Sequence, residues 1–63
     1  MAESMHDILA EFLMAVWDWH ETKNGPMKTR KYITVRRMIR DNNLHYDKRA
    51  DRVMRLYGLL SSS

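Results

Sequence analysis

Lys48, Arg52 and Arg55 stand at i, i+4 and i+7, a spacing that sets three long cations on one face of a helix. A guanidinium can clamp a phosphate, or the O6 and N7 atoms of guanine, through two parallel hydrogen bonds, and an ammonium adds a compact point charge. Such a row holds polyanions. Arg49 lies beside it, and Lys28, Arg30, Lys31, Arg36, Arg37 and Arg40 precede it. Together these ten residues are the expected nucleic-acid-binding surface, with double-stranded DNA as the first candidate ligand and RNA permitted by the same charges. Asp51 is placed to pair with Arg55 and so withdraw it from that surface.

Charge is divided along the chain. Residues 1–22 carry Glu3, Asp7, Glu11, Asp18 and Glu21 with no Lys or Arg, whereas all eleven Lys and Arg fall after residue 22, against Asp41, Asp47 and Asp51. The net charge of +3 hides this division. A basic segment of this length is the electrostatic footprint of a polyanion-binding surface, while the acidic and apolar beginning suits contact with protein.

Other chemistries find little support in the residues. His6 and His20 are too far apart to share a helical metal site, and the WHETK stretch lacks the second histidine of a zincin helix. No Ser, His and Asp set, glycine-rich phosphate loop or paired-carboxylate cleft is evident, so neither an enzyme nor a cofactor is expected. Cysteine is absent, which excludes disulfides and thiolate zinc sites. The beginning of the chain has no basic region before its apolar stretch, and Glu11 and Asp18 interrupt that stretch. It reads as neither signal peptide nor membrane span, and the expected location is the cytoplasm.

The elements that must position these residues are helical. A first helix is expected over about residues 4–22, with Ser4 as N-cap, Asp7 completing a capping box, and Asn24-Gly25-Pro26 as the stop. Its apolar arc is wider than the roughly 100° a surface helix needs. Residues 25–33 fit either a basic loop or an early start to the next helix. Lys28, Arg30 and Lys31, before the second helix, are expected to lie along a phosphate backbone or enter a minor groove, the alternative being a solvent-exposed connector. Thr34 is a candidate N-cap for a second helix over about 34–41, with Val35, Met38 and Ile39 inward and Arg36, Arg37 and Arg40 outward. Asn42 and Asn43 supply turn chemistry, and Leu44 is expected to be buried there. A third helix over about 47–58 would be capped by Asp47, hold Ala50, Val53 and either Leu56 or Tyr57 inward, and end at Gly58. Leu59 and Leu60 would fold back on the core, leaving Ser61 to Ser63 as a frayed tail.

Two short helices separated by a turn of about five residues have the proportions of a helix-turn-helix. Residues 33–60 resemble the helix-turn-helix of winged-helix regulators, with Thr34 opening the second helix and Gly58-Leu59-Leu60 following the third. They also resemble the DNA-binding segment of insertion-sequence transposases, through Ile33-Thr34, Lys48-Arg49, Arg52, Met54 and Gly58-Leu59. The resemblance covers under half of the chain and includes neither a β-hairpin wing nor a catalytic domain. It implies a stand-alone helix-turn-helix in transcription regulation.

The expected architecture is an all-α, three-helix single domain over residues 1–63. A chain of this length buries only about 60% of its unfolded surface, so self-association would help to stabilise it. A homodimer through Ile8, Leu9, Phe12, Leu13, Val16, Trp17 and Trp19 of the first helix is expected, pairing two half-site readers. The alternative is a phage- or mobile-element-encoded adaptor or inhibitor that docks on a host or defence protein through its charged helices.

Overall fold

The computed structural model describes residues 4–60 as three α-helices and one 3₁₀ turn, with no strand among them. The all-α, three-helix expectation holds. Helix α1 spans Met5–Glu21. Ser4 is its N-cap, with the hydroxyl accepting from the Asp7 backbone N–H at 3.2 Å, as the sequence indicates. At the other end Thr22 caps the helix: its backbone N–H donates to the Asp18 and Trp19 carbonyls, and its hydroxyl donates to Asp18 O at 2.7 Å.

Helix α2 spans Pro26–Asp41, which decides the ambiguity over residues 25–33 in favour of helix and overturns the expected start near residue 34. Gly25 is the N-cap, at φ 153° and ψ −172°, a backbone region open to glycine alone. Pro26 then occupies the first turn, where its missing N–H costs nothing and its fixed φ suits the helix. Thr34 is therefore mid-helix, and its hydroxyl donates back to the Arg30 carbonyl at 3.2 Å. The inward positions continue upstream from Val35 to Lys31 and Lys28, both half-buried. Lysine at core-facing positions conceals the apolar period while its aliphatic stem still covers apolar surface.

Asn42 and Asn43 end α2: the Asn42 side chain donates to Met38 O at 3.1 Å, and Asn43 adopts the left-handed conformation at φ 52°. The 3₁₀ turn Leu44–Tyr46 follows, burying Leu44 completely. Asp47 then caps α3, Lys48–Leu56, accepting from the backbone N–H groups of Arg49 and Ala50 at 2.8 and 3.1 Å. Gly58, at φ 69°, provides the left-handed residue after the helix. Around it Leu59 N–H donates to Met54 O at 2.8 Å and Gly58 N–H to Arg55 O, a Schellman arrangement in which Leu59 and Met54 are both buried. Of the two residues considered at the inner face of α3, Tyr57 is half-buried and Leu56 is exposed. The expected tail, Ser61 to Ser63, lies outside the described residues.

The core comprises Leu9, Phe12 and Val16 of α1, Val35 and Ile39 of α2, Leu44 of the turn, Ala50 and Met54 of α3, and Leu59 beyond it. Helix α1 packs along α2 and touches α3, whereas α2 and α3 meet through the 3₁₀ turn. The long solvent-facing flanks of α2 and α3 are thereby left open on either side of that turn. No described helix is long and apolar enough to cross a membrane.

Candidate nucleic-acid interface

The ten cations expected to form one surface separate into three groups. Lys28 and Lys31 face α1. The Lys31 ammonium sits 3.1 Å from the Asp18 carboxylate and 3.0 Å from Thr22 Oγ1, while Lys28 Nζ donates to His20 O at 3.4 Å and lies 5.5 Å from the centre of a Trp19 ring. Both bring positive charge to the carbonyl end of α1, where the helix dipole favours it. The expectation that they precede the second helix is corrected, since the segment is helical, and both lysines make their polar contacts with α1.

A second group is partnered within the basic half. Arg36 Nη1 donates to Leu59 O at 3.0 Å, fixing the chain beyond α3 to the middle of α2. Arg40 pairs with the adjacent Asp41 at 3.3 Å. Arg49 lies 3.9 Å from Asp47, whose carboxylate already caps the first turn of α3. Arg55 Nε donates to Asp51 at 2.8 Å, which raises the guanidinium pKa through the hydrogen bond first and the Coulombic attraction second. Asp51 thus takes up Arg55 as its i, i+4 spacing indicates.

Arg30, Arg37, Lys48 and Arg52 form the third group. All four are exposed, and their side chains have no hydrogen-bond or ion-pair partner among the described residues. Arg30 and Arg37 stand two turns apart on α2, and Lys48 and Arg52 one turn apart on α3.

Two shallow grooves run along these flanks and adjoin at His45. One, of about 490 Å³, includes Tyr32, Ile33, Arg36, Arg37, Arg40 and His45 and contains no acid. The other, also about 490 Å³, includes His45, Tyr46, Lys48, Asp51, Arg52 and Arg55. Tyr46 is 81% exposed, and its ring lies 4.2 Å, centre to centre, from that of His45. This aromatic ridge between two cationic flanks was not singled out from the sequence. The signal was present in the pair of rings between buried Leu44 and the cap Asp47, but its exposure depends on the 3₁₀ turn.

The expected interface on α1 also changes. Leu9, Phe12 and Val16 are buried in the chain's own core, and Ile8 and Trp19 pack against it. Only Leu13 and Trp17 of the seven residues remain on the outer surface, joined there by Met14. The wide apolar arc is shared between α2 on one side and α3 on the other, so most of it needs no second copy to cover it.

No protein-family model, curated protein or solved structure matches this chain significantly.

Proposed function

We propose that this chain is a small nucleic-acid-binding protein that meets duplex DNA with the surface formed by α2, the 3₁₀ turn and α3, in the manner of a helix-turn-helix regulator. The observation carrying this proposal is the pair of adjoining grooves at His45, bordered by cations of which Arg37, Lys48 and Arg52 have no partner among the described residues. Cations left unpaired beside a groove are available to neutralise phosphates and release their counterions, the main source of sequence-independent affinity. Lys48 and Arg52 project from the side of α3 opposite Ala50 and Met54, as a groove-entering helix requires. The six-residue link from Asn42 to Asp47 is longer than the tight turn of three or four residues found in the simplest such motifs, and it places Tyr46 outward between the helices.

The test is a titration of an unrelated DNA duplex at two salt concentrations. Four contacts, from Arg30, Arg37, Lys48 and Arg52, correspond to a log K against log salt slope of about −3.6, or roughly a hundredfold loss of affinity between about 50 and 200 mM salt. Absence of binding at the lower salt would overturn the proposal. Preference for single-stranded RNA over the duplex would replace duplex DNA with a ligand whose unpaired bases can stack on Tyr46.

A further inference from the structure

The outer face of α1 lies outside the proposed nucleic-acid surface, and it exposes three large apolar side chains together: Leu13 at 48%, Met14 at 72% and Trp17 at 61%. Single exposed apolar residues are ordinary, but three on adjoining turns form a patch. Met14 and Trp17 border a shallow depression of about 570 Å³ that ends in the carboxylates of Asp18 and Glu21. Asp7 and Glu11 continue the acidic side toward the start of the helix, and α1 contains no Lys or Arg. Asp18 is paired with Lys31 of α2 at 3.1 Å and Glu21 lies 3.5 Å from His20 Nδ1, so Asp7, Glu11 and Glu21 carry the rim's charge that no Lys or Arg offsets. Apolar anchors beside such acids are complementary to a helix carrying apolar residues on one stripe and Lys or Arg beside it.

We propose that this face of α1 is a docking surface for a basic amphipathic helix of another protein, with Met14 and Trp17 as the apolar anchors and Glu11 and Glu21 as the charges that set register. A second copy of α1 is a poor occupant. Antiparallel pairing centred on Met14 would set Asp7 opposite Glu21, and parallel pairing would set each acid opposite itself, with no cation on either helix to offset them. The neighbouring apolar groove between α1 and α3, which includes Leu13 and Val53, carries Arg49 at its edge and bounds the acidic surface on that side. Docking on α1 would leave the cationic flanks of α2 and α3 uncovered, so the chain could hold nucleic acid and a basic protein helix at once.

Three synthetic peptides test this: an amphipathic helix of Leu and Lys, a scramble of the same composition without the apolar stripe, and a version with every Lys changed to Glu. Binding is read from tryptophan fluorescence and calorimetry on the full chain, with sedimentation run in parallel. The expected result is that the amphipathic basic peptide binds at least tenfold more tightly than the scramble, that the Glu version does not bind, and that Trp17→Ala or Met14→Ser removes the difference. Melting temperature checks that both variants remain folded, and a Glu11→Gln, Glu21→Gln double variant reads the charge contribution without touching the apolar anchors. Equal binding of the basic peptide and its scramble would overturn the proposal by reducing the face to diffuse charge. No binding, or a concentration-dependent mass that Trp17→Ala abolishes, would overturn it as well, the latter by making a second copy the occupant. Duplex affinity unchanged in the Trp17 and Met14 variants is also expected, so failure here is separable from failure of the nucleic-acid proposal.

Discussion

The Arg36 guanidinium donates to the carbonyl of Leu59 across 3.0 Å, joining the middle of α2 to the turn beyond α3. Helices α2 and α3 otherwise communicate through the 3₁₀ turn, so this bond closes the open side of the angle between them. Arg36→Ala is therefore expected to act on folding. Loss of a part-buried hydrogen bond to a charged donor costs about 1.5 to 3 kcal/mol. In a domain of this size that is a fall in melting temperature of roughly 6 to 24 °C, at about 4 to 8 °C per kcal/mol. Thermal unfolding of Arg36→Ala and Arg37→Ala side by side checks this, because Arg37 is without a partner among the described residues and its variant should melt like the parent.

The cations of α3 should divide by their protein partners. Lys48→Ala and Arg52→Ala are each expected to reduce the salt slope of duplex binding by about 0.9. Arg55→Ala should reduce it less, because its guanidinium is already held by Asp51 at 2.8 Å. Conversely, Asp51→Asn should strengthen binding by releasing Arg55 and removing a negative charge from the groove. The pKa of Arg55 is raised in the folded chain, so any stability from the pair is present below its unfolded value and is lost only as pH rises through the folded one. Both limits lie far above neutrality. Titration of Arg55 should therefore contribute no step to stability near neutral pH, and pH-dependent melting of the parent and Arg55→Ala chains measures this.

Lys28 and Lys31 should behave differently from the free cations despite their equal charge. The Lys31–Asp18 contact is only partly shielded, with Asp18 61% exposed, so its contribution is discounted to the surface range of about 0 to 1 kcal/mol. The double change of Lys28 and Lys31 to Gln should lower the melting temperature slightly and alter the duplex salt slope by well under the two units expected for direct phosphate contacts. A slope change near two units, measured across a salt series, would return both lysines to the nucleic-acid surface.

Where the sequence carried an explicit physical signal, it was sufficient. Ser4, Asp47 and Gly58 each mark a helix boundary that the structure retains, because a cap is a local hydrogen-bonding event set by a few residues. Burial of Leu44 was legible because it is the aliphatic residue of the segment that follows Asn42 and Asn43. The start of α2 was concealed by Lys28 and Lys31, half-buried side chains whose ammonium groups reach α1, Lys31 to the Asp18 carboxylate and Lys28 to the His20 carbonyl; no hydropathy period records that double role. Met54 was read as part of a resemblance, yet it is a fully buried partner of Leu59 in the Schellman turn. At the surface, all ten cations look alike in sequence. Their division into structural, partnered and unpartnered groups depends on distances across helices that spacing within one helix cannot supply.

The division of α1 into an inner and an outer face gives the sharpest test of its packing. From sequence, Phe12 and Leu13 appear equivalent, and both would be expected to serve folding and association. In the fold Phe12 is completely buried among α1, α2 and α3 core residues, whereas Leu13 is about half exposed and Trp17 more so. Removing a buried Phe leaves a cavity as well as lost transfer energy, about 3 to 5 kcal/mol in total. A 63-residue chain has a stability of only about 3 to 9 kcal/mol, so Phe12→Ala should lose a third or more of it and melt far below the parent. Trp17→Ala, by contrast, should fall within about 0.5 kcal/mol of the parent, as exposed substitutions do. Circular dichroism melts of the two variants measure the difference. Equal destabilisation would mean that Trp17 is covered in solution by a contact that the single chain does not make, and sedimentation of the parent over the same concentrations would identify it as a second copy.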